Sequence, residues 1–334
     1  MAIETKLPFE KETREILIRK ESKTSESYGS YPDKRSVEDL INFGIVNLDK
    51  PSGPTSHQVS AYVQKILKVK KSGHSGTLDP AVTGVLPVAL GRGTKIVQLL
   101  LLAGKEYVAL MHLHKKTEDY KIYQVFSEFI GKIKQLPPVK SAVKRQWRER
   151  KIYYTEILAI KDQEVLFRVG CEAGTYIRKL IHDIGQKLGC GAHMAELRRT
   201  KVAAFNEDED LVTLQDIADA YHFWKNDNDD SYIRKTILPI EYGIKHVPKI
   251  WVFDSTIESL CHGMNLAVPG ISKLESGIEP DQLVAVLSLK GELIAYGRSK
   301  MNSDKIVKSE KGIAVKTEKV FMLPGTYPSQ KEML

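Results

Sequence analysis

Two kinds of hydrophobic spacing alternate along the middle of the chain, and they restrict its fold more than any other feature. Apolar residues three and four positions apart predict helices over about 55–67 and 176–188. Strand-like runs lie between and around these helices, at 43–48, 105–130 and 152–171. Because strands and helices are intermixed, the sequence predicts an α+β domain built around one mixed sheet.

The two ends of the chain have different patterns. Residues before about 42 are rich in Lys, Glu and Ser and predict an extension rather than a core-forming unit. After about residue 247, helix signals thin out and short strands dominate, including a predicted hairpin over 283–297 and a strand within 312–323. Several short strands in so small a segment indicate a β-barrel or sandwich. With 334 residues, about two domains are expected.

Composition places the chain among ordinary globular proteins, with 42% hydrophobic and 28% charged residues. The longest apolar run, 96–104, is much shorter than the roughly 20 residues of a membrane-spanning helix. The first residues are too charged for a secretion signal. The three cysteines lie far apart and form no C-x-x-C pair, so a reducing compartment, and hence the cytoplasm, is expected.

The segment 73–93 has five glycines in 21 residues, which indicates backbone that bends sharply or is approached closely. Asp79 lies in this segment, and the following Pro80 disfavours helical geometry for the aspartate. Its apolar sequence neighbours are Leu78, Ala81, Val82, Val85 and Leu86. We therefore expect the carboxylate to be shielded from water and to need a partner. An Asp-Pro turn with a purely structural acid is the alternative.

The motif GTYIR, at the start of the second predicted helix, is a second unusual feature. If Thr175 caps that helix, Arg178 falls in the first turn, where the helix dipole disfavours a cation. An anion is then expected to compensate. Pairing with Asp79 would keep that carboxylate ionised and aimed as a nucleophile. An ordinary surface ion pair with Glu172 or Asp183 is the alternative, and the residue types alone do not choose between them.

Basic residues concentrate between Lys132 and Lys151, where eight Lys or Arg accompany a single Glu. This local excess nearly equals the net charge of the whole chain, +8. Trp147 lies among four cations, Lys144, Arg145, Arg148 and Arg150. Phosphate-binding cations beside a stacking surface are typical of a nucleic-acid-binding loop. A solvated loop without a ligand is the alternative.

No metal or cofactor site is predicted. Cys190 and His193 have ligand-like spacing, but nothing nearby completes a set, so a packed histidine beside a buried cysteine is expected. His112 and His114 alternate as on a strand face, without an acidic group to complete a site. The sequence contains no P-loop, dinucleotide-binding or nucleophile-elbow motif, so a nucleotide cofactor is not supported.

Four separated motifs carry a resemblance to a known family: GHSGTLDPAVTG, KEY at 105–107, GTYIR at 174–178 and GAHMAELRRT at 191–200. In this order they resemble the TruB-type pseudouridine synthases. The exact residues of these motifs resemble the dyskerin branch more closely, particularly its archaeal members, the catalytic subunits of box H/ACA guide-RNA particles. The likeness runs from about Phe43 to Pro328.

The resemblance implies three domains. An N-terminal extension, 1–42, would pack on a C-terminal PUA domain, a β-barrel that binds RNA, over 248–334. Between them, 43–247 would form the pseudouridine-synthase domain, with its mixed sheet and central cleft. Within that domain, the basic run at about 132–151 would be the mobile thumb loop that closes on substrate RNA.

The resemblance also implies roles for individual residues. Asp79 matches the catalytic aspartate of the family, Arg178 the arginine that pairs with it, and Tyr107 the active-site tyrosine. Substrate-binding positions are matched by His74, Tyr176 and Leu197 and, on the thumb loop, by Lys144, Arg145, Arg148 and Arg150. The guide-RNA-contacting positions of the PUA domain are matched by Gly263, Leu266, Pro269 and Gly270.

The implied activity is isomerisation of uridine to pseudouridine in RNA, with no metal or organic cofactor. A box H/ACA guide RNA would select uridines in rRNA, and U55 of tRNA would be a further, guide-independent substrate. The implied partners are a small zinc-ribbon-like protein, a glycine-arginine-rich-type β-barrel protein and a kink-turn-binding protein, with no membrane. A stand-alone synthase of the tRNA T-loop and a non-catalytic RNA-binding scaffold are the alternatives.

Overall fold

The computed structural model describes residues 5–137 and 144–329, which form two β-sheets. The described strands are β1 (Ile16–Ile18), β2 (Gly44–Lys50), β3 (Ser72–His74), β4 (Thr83–Leu90), β5 (Lys105–Leu113), β6 (Gly131–Gln135), β7 (Arg148–Lys161), β8 (Glu164–Cys171), β9 (Ala192–Val202), β10 (Phe205–Asn206), β11 (Leu211–Val212), β12 (Leu238–Pro239), β13 (Lys249–Val252), β14 (Leu266–Ala267), β15 (Ile271–Glu275), β16 (Leu283–Leu287), β17 (Leu293–Ser299) and β18 (Ile313–Val320).

The first sheet runs in the order β11-β2-β4-β9-β5-β8-β7-β6, with β3, β10 and β12 paired beside β4, β9 and β2. Most neighbours are antiparallel, but β4 runs parallel to β9 and β11 parallel to β2. The sheet is therefore mixed, as the sequence predicts.

The described helices are α1 (Val37–Phe43), α2 (Ser56–Ile66), α3 (Val97–Leu102), α4 (Asp119–Glu128), α5 (Ile177–Leu188), α6 (Leu214–His222), α7 (Ser231–Thr236), α8 (Asp254–Cys261) and α9 (Ser303–Lys308). The two predicted helices correspond to α2 and α5. Thr55 caps α2 by accepting a hydrogen bond from the Gln58 amide, and the Gln58 side chain accepts one in return from the Thr55 amide. Within the described part of the chain, no helix is both long and apolar enough to cross a membrane.

The prediction of strands throughout 105–130 is wrong after residue 113. The chain instead forms α4, which buries Ile122, Val125 and Phe126 against the sheet. These residues have the three-to-four spacing of a helix. The segment reads as a strand because β-branched and aromatic residues dominate it, but packing on the sheet decides its structure.

The second sheet follows the order β1-β15-β13-β16-β17-β18-β14. The predicted hairpin is present as β16 and β17, which pair antiparallel with Val284 opposite Gly297. Helices α8 and α9 pack against this sheet around a core of its own, which includes Ile257, Leu260 and Ile306.

The N-terminal segment is built into both halves of the molecule. Strand β1 pairs antiparallel with β15 of the second sheet. Arg35 donates two hydrogen bonds of 2.7 Å to Glu241, and Leu7 is fully buried. Four residues of α1 are buried as well. Residues before about 42 are thus an extension without a core of its own, but a few well-placed apolar side chains pack into the rest of the molecule.

A hydrophobic cluster joins the two sheets. It combines Ile45 and Val85 of the first sheet with Leu287 and Leu293 of the second. Phe321 links them further, because its ring lies 6.3 Å from that of Phe43. Shared burial of this kind fixes the two sheets against each other.

Candidate active site

The loop between β3 and β4 carries Asp79 and is held by its backbone. Ser56, at the start of α2, is fully buried and binds both sides of Leu78. Its hydroxyl accepts from the Leu78 amide at 2.8 Å and donates to the Leu78 carbonyl at 3.2 Å. After the aspartate, the Val82 amide donates to the Asp79 carbonyl at 3.0 Å. The backbone is thus fixed on both sides of Asp79.

Lys50, at the end of β2, binds the backbone of the same loop. Its side chain is fully buried, and its ammonium donates to the carbonyls of Pro51, Pro80 and Val82 at 2.8, 2.9 and 2.9 Å. Three acceptors satisfy its three donors. Burial, with a contribution from the Arg199 charge, lowers the pKa of Lys50, whereas the nearby Asp79 carboxylate raises it.

The structure brings Asp79 and Arg178 together. The Nη2 atom of Arg178 donates to Oδ2 of Asp79, and neither Glu172 nor Asp183 takes its place in this ion pair. The expected shielding of Asp79 is wrong, because 57% of its side chain is exposed. Leu78, Val82, Val85 and Leu86 are buried. The anchored turn directs them into the core and leaves the carboxylate at an open site.

Arg178 is the second residue of α5, but the predicted cap is wrong by one position. Tyr176, not Thr175, is the residue before the helix. The Thr175 hydroxyl instead donates to the carbonyl of Glu172 at 2.7 Å. Gln135, at the end of β6, accepts from the Tyr176 amide at 3.0 Å and donates to its carbonyl at 3.2 Å. The hairpin of β6 and β7, which carries the basic run and is called the basic hairpin below, is therefore linked directly to the start of α5.

Tyr107 lies on β5, between β8 and β9. Its sheet partners are Val169 and Arg199. Leu197, two residues before Arg199, pairs with Ala109, so Tyr107 and Leu197 lie on the same face of the sheet. Burial raises the pKa of Tyr107, and the Arg199 charge opposes this. The phenol is therefore neutral at physiological pH.

Two histidines adjoin the loop. Burial, with the charges of His57 and Arg199, lowers the pKa of His74 to about 4. His74 is therefore uncharged near neutral pH. Its Nε2 atom lies 3.4 Å from Nδ1 of His57 on α2, and the Gly76 amide donates to its Nδ1.

The basic run 132–151 is not a loop throughout, because its two ends form a β-hairpin. Strands β6 and β7 pair from Lys132 opposite Lys151 to Gln135 opposite Arg148. The middle of the predicted thumb loop, 138–143, lies outside the described residues. Lys144, Arg145 and Trp147 are exposed.

Arg148 and Arg150 lie on the strand that follows this loop. The Nε atoms of both are buried, and neither has a hydrogen-bond acceptor among the described residues. The Arg150 guanidinium also lies close to Gly174 of the GTYIR motif, where an added Cβ would come within 3.2 Å of its Nε. Because these two Nε atoms are buried, contact with RNA phosphates falls to the terminal nitrogens of the two guanidinium groups.

Comparison with known proteins decides the family. The family model described as "TruB family pseudouridylate synthase (N terminal domain)" matches residues 64–177, and the model of the tRNA pseudouridylate synthase B C-terminal domain matches 178–245. A Pyrococcus abyssi protein called "Probable tRNA pseudouridine synthase B" is 56% identical over 94% of this chain and 95% of its own length. The chain belongs to the TruB family of pseudouridine synthases. It is an RNA isomerase.

Two solved structures are similar to this chain over nearly its whole length. The chain matches one in "Crystal Structure of a Cbf5-Nop10-Gar1 Complex" with a TM-score of 0.93 and 55% identity, covering 97% of this chain and 98% of the other. Another match is "Structure of H/ACA RNP bound to a substrate RNA containing 2'-deoxyuridine", with a TM-score of 0.92 and 52% identity, covering 97% and 100%.

This TruB-family chain also carries a PUA domain, whose model matches residues 248–321; a DKCLD domain model matches 4–60. Gly263 lies in an exposed turn with φ of +85°, and Pro269 is exposed, whereas Gly270 is half-buried. Leu266 is fully buried in the core of the second sheet. Its side chain therefore cannot touch RNA, which leaves only its backbone for the expected contact.

The Cys190–His193 expectation is wrong for this TruB-family fold. His193 is exposed on β9, and its Nδ1 lies 3.2 Å from Nε2 of His114, while Cys190 is half-buried. The segment is a strand, so His193 faces away from the core. In the described ranges no group of three or more His, Cys, Asp or Glu side chains is arranged to hold a metal ion.

Sequence reasoning missed three polar residues that hold the site of this pseudouridine synthase: Lys50, Ser56 and Arg199. All three are almost completely buried. No local sequence signal marks them, because each binds backbone groups, which every residue has.

We predict that Lys50→Met lowers the free energy of unfolding by about 3 kcal/mol, because three backbone carbonyls lose the buried ammonium that they bind. It also slows pseudouridine formation by more than roughly 10-fold, because the Asp79 loop loses an anchor. Denaturant unfolding and single-turnover conversion measure the two effects. Lys116→Met is the matched control, since 76% of the Lys116 side chain is exposed. A Lys50→Met protein with normal stability and rate would contradict this role.

Proposed function

We propose that this pseudouridine synthase acts on uridines in rRNA that a box H/ACA guide RNA selects, and on U55 of tRNA without a guide. We assign the chemistry to Asp79, Arg178 and Tyr107. The observation that carries the assignment is the ion pair between Asp79 and Arg178 on an anchored loop that opens to solvent.

The reaction explains why a carboxylate is required. The N-glycosidic bond of uridine breaks, the uracil turns within the pocket, and the ring rejoins the ribose through C5, which loses its proton. No redox change and no net hydrolysis occurs. A carboxylate can attack the ribose, or assist its deprotonation, and leave again. In either role Asp79 acts as a carboxylate, and the Arg178 guanidinium pairs with it.

The residues around the pair suit an extruded uridine. The target base must leave its stack at a cost of a few kcal/mol, and an aromatic ring offsets part of this cost. We assign that role to Tyr107, with Tyr176 and Leu197 lining the pocket. His74 lies beside the loop and is uncharged near neutral pH. It therefore adds no positive charge that would compete with Arg178 for Asp79.

The basic hairpin is proposed to grip the substrate backbone. Lys144 and Arg145 are exposed, and Arg148 and Arg150 have Nε donors without described acceptors. Gln135, the last residue of β6 before the loop, couples this hairpin to Tyr176. Phosphate binding on the hairpin would therefore take place next to the residues assigned to the pocket.

Guide RNA is proposed to bind the PUA domain around Gly263, Pro269 and Gly270, with the backbone of Leu266. We place the domain boundaries at 1–42, 43–247 and 248–334, and the protein in the cytoplasm. A similar chain is solved with Nop10 and Gar1, and another in an H/ACA RNP with substrate RNA. By analogy, we propose a zinc-ribbon-like protein, a glycine-arginine-rich-type β-barrel protein and a kink-turn-binding protein as partners.

Asp79→Asn tests the catalytic assignment. We predict that it abolishes pseudouridine formation, because a neutral amide neither attacks the ribose nor pairs as an anion with Arg178, while RNA affinity stays nearly unchanged. Release of tritium from C5 of uridine and a binding titration give the two readings. Asp162→Asn is the control, as 77% of that side chain is exposed. Activity in Asp79→Asn would overturn the assignment, and an inactive wild-type chain would favour the scaffold alternative.

Guide dependence is tested with two substrates. We predict that, in the reconstituted particle, an rRNA target is converted only when a matching guide RNA is present, whereas tRNA is converted without one. The physical reason is that the pocket contacts one extruded nucleotide and leaves the choice of uridine to base pairing or to RNA shape. Equal conversion of the rRNA target with and without its guide would contradict the guided function.

The salt dependence of RNA binding tests the basic hairpin. Replacing Arg145, Arg148 and Arg150 by Gln should reduce the slope of log K against log salt by about 0.7 to 0.9 for each RNA phosphate that the hairpin no longer neutralises. Lys115, Lys116 and Lys161 form the control triple, because they are exposed near the far end of β7. An unchanged slope in the arginine triple variant would show that the hairpin does not bind the RNA backbone.

A further inference from the structure

Arg199 connects parts of the site that no sequence motif joins. It lies on β9 with only 1% of its surface exposed. Its Nε donates to the Val85 carbonyl at 2.8 Å, and its Nη2 donates to the Gly76 carbonyl at 3.2 Å. Val85 belongs to β4, and Gly76 precedes Asp79 in the anchored loop. One buried guanidinium therefore binds both sides of the segment that carries the aspartate.

A β-bulge places this guanidinium beside Tyr107. Glu106 pairs with Lys201, but the next residue, Tyr107, pairs with Arg199, so Thr200 is an extra residue on β9. Without the extra residue, Tyr107 would lie opposite Thr200. The Thr200 hydroxyl donates to the buried carboxylate of Glu106 at 2.7 Å, which anchors the bulge. Bulges next to active sites commonly redirect a side chain in this way.

The contact between Arg199 and Tyr107 has a defined polarity. Arg199 lies opposite Tyr107 on the neighbouring strand, and its charge acts on the phenol. Because a guanidinium has only donors, it interacts favourably with the phenol oxygen and not with the phenol proton. Burial raises the pKa of Tyr107, so the hydroxyl keeps its own proton. Cys171 on β8 also acts on Tyr107, but burial raises the pKa of that thiol to about 12, so it is neutral. The Tyr107 proton must therefore point away from Arg199.

We propose that Arg199 is a positioning residue for uridine isomerisation. Arg199 orients the Tyr107 hydroxyl as a hydrogen-bond donor to the bound uracil and connects this tyrosine to the Asp79 loop. The inference rests on the proposed function, since it takes Asp79 as the group that acts on the ribose and Tyr107 as the group that contacts the base. Arg199 sets the spacing between these two groups and does not itself touch the substrate.

A double-mutant cycle tests this role. In single-turnover assays at saturating RNA, Arg199→Met should slow conversion roughly 100-fold, because the tyrosine loses its orientation. RNA affinity should not change. In the Tyr107→Phe background the same substitution should cost roughly 10-fold or less, because the hydroxyl that Arg199 orients is absent. Arg199→Lys should have an intermediate rate, because its ammonium can replace only some of the hydrogen bonds that the guanidinium donates.

Arg198→Met is the matched control. Arg198 is the neighbouring residue, but its guanidinium pairs with Asp49 and Glu207. The conversion rate of the Arg198→Met variant should stay within about 2-fold of wild type. Equal losses for Arg199→Met in both Tyr107 backgrounds would overturn the proposal, as would a loss of RNA affinity without a loss of rate. If Arg199→Met does not fold, Arg199→Lys decides, and its cycle with Tyr107→Phe must show the same non-additivity.

Asp79→Asn separates this inference from the proposed function. If Asp79→Asn is inactive while the Arg199 cycle is additive, only the positioning role fails. If Asp79→Asn is active, the proposed function fails, whatever the Arg199 variants do.

Discussion

Hydrogen bonds from buried cations to backbone carbonyls are the interaction on which the site depends. Lys50 binds three carbonyls around the Asp79 turn, and Arg199 binds two more at Gly76 and Val85. Desolvating a cation is costly, so each of these side chains is stable only while its acceptors stay in place. The loop therefore cannot change conformation without leaving a buried cation without hydrogen-bond acceptors. A carboxylate that is more than half exposed is in this way held as firmly as a core residue.

The same cations shape the electrostatics of the site. Lys50, Arg199 and Arg178 surround a single carboxylate, Asp79, and the basic hairpin adds further positive charge nearby. An excess of cations favours a polyanionic ligand over a neutral one. This suits an enzyme whose substrate is RNA.

Periodicity was sufficient to predict α2 and α5, because each has one clearly apolar side. The β16–β17 hairpin was predicted from two apolar runs on either side of a turn. It failed for α4, whose β-branched and aromatic residues resemble a strand until Ile122, Val125 and Phe126 are seen packed on the sheet. Motifs pointed to Asp79 and Arg178 but not to Lys50 or Arg199. The partners of Lys50 and Arg199 are mainly backbone carbonyls, which every residue has, so no sequence pattern marks them. The exposure of Asp79 depends on the same anchors and was mispredicted for the same reason.

The two sheets are joined in a way that matters for a guided enzyme. If guide RNA binds one sheet and chemistry occurs on the other, the distance between them must be fixed for base pairing to deliver one nucleotide to Asp79. The apolar cluster around Phe43 and Phe321 crosses the junction, and the Lys95 ammonium donates to the Val320 carbonyl at 2.6 Å. The N-terminal segment adds the paired charges of Arg35 and Glu241. A flexible linker would allow many target positions, whereas this packed junction allows few, so the selection of a uridine becomes a matter of geometry.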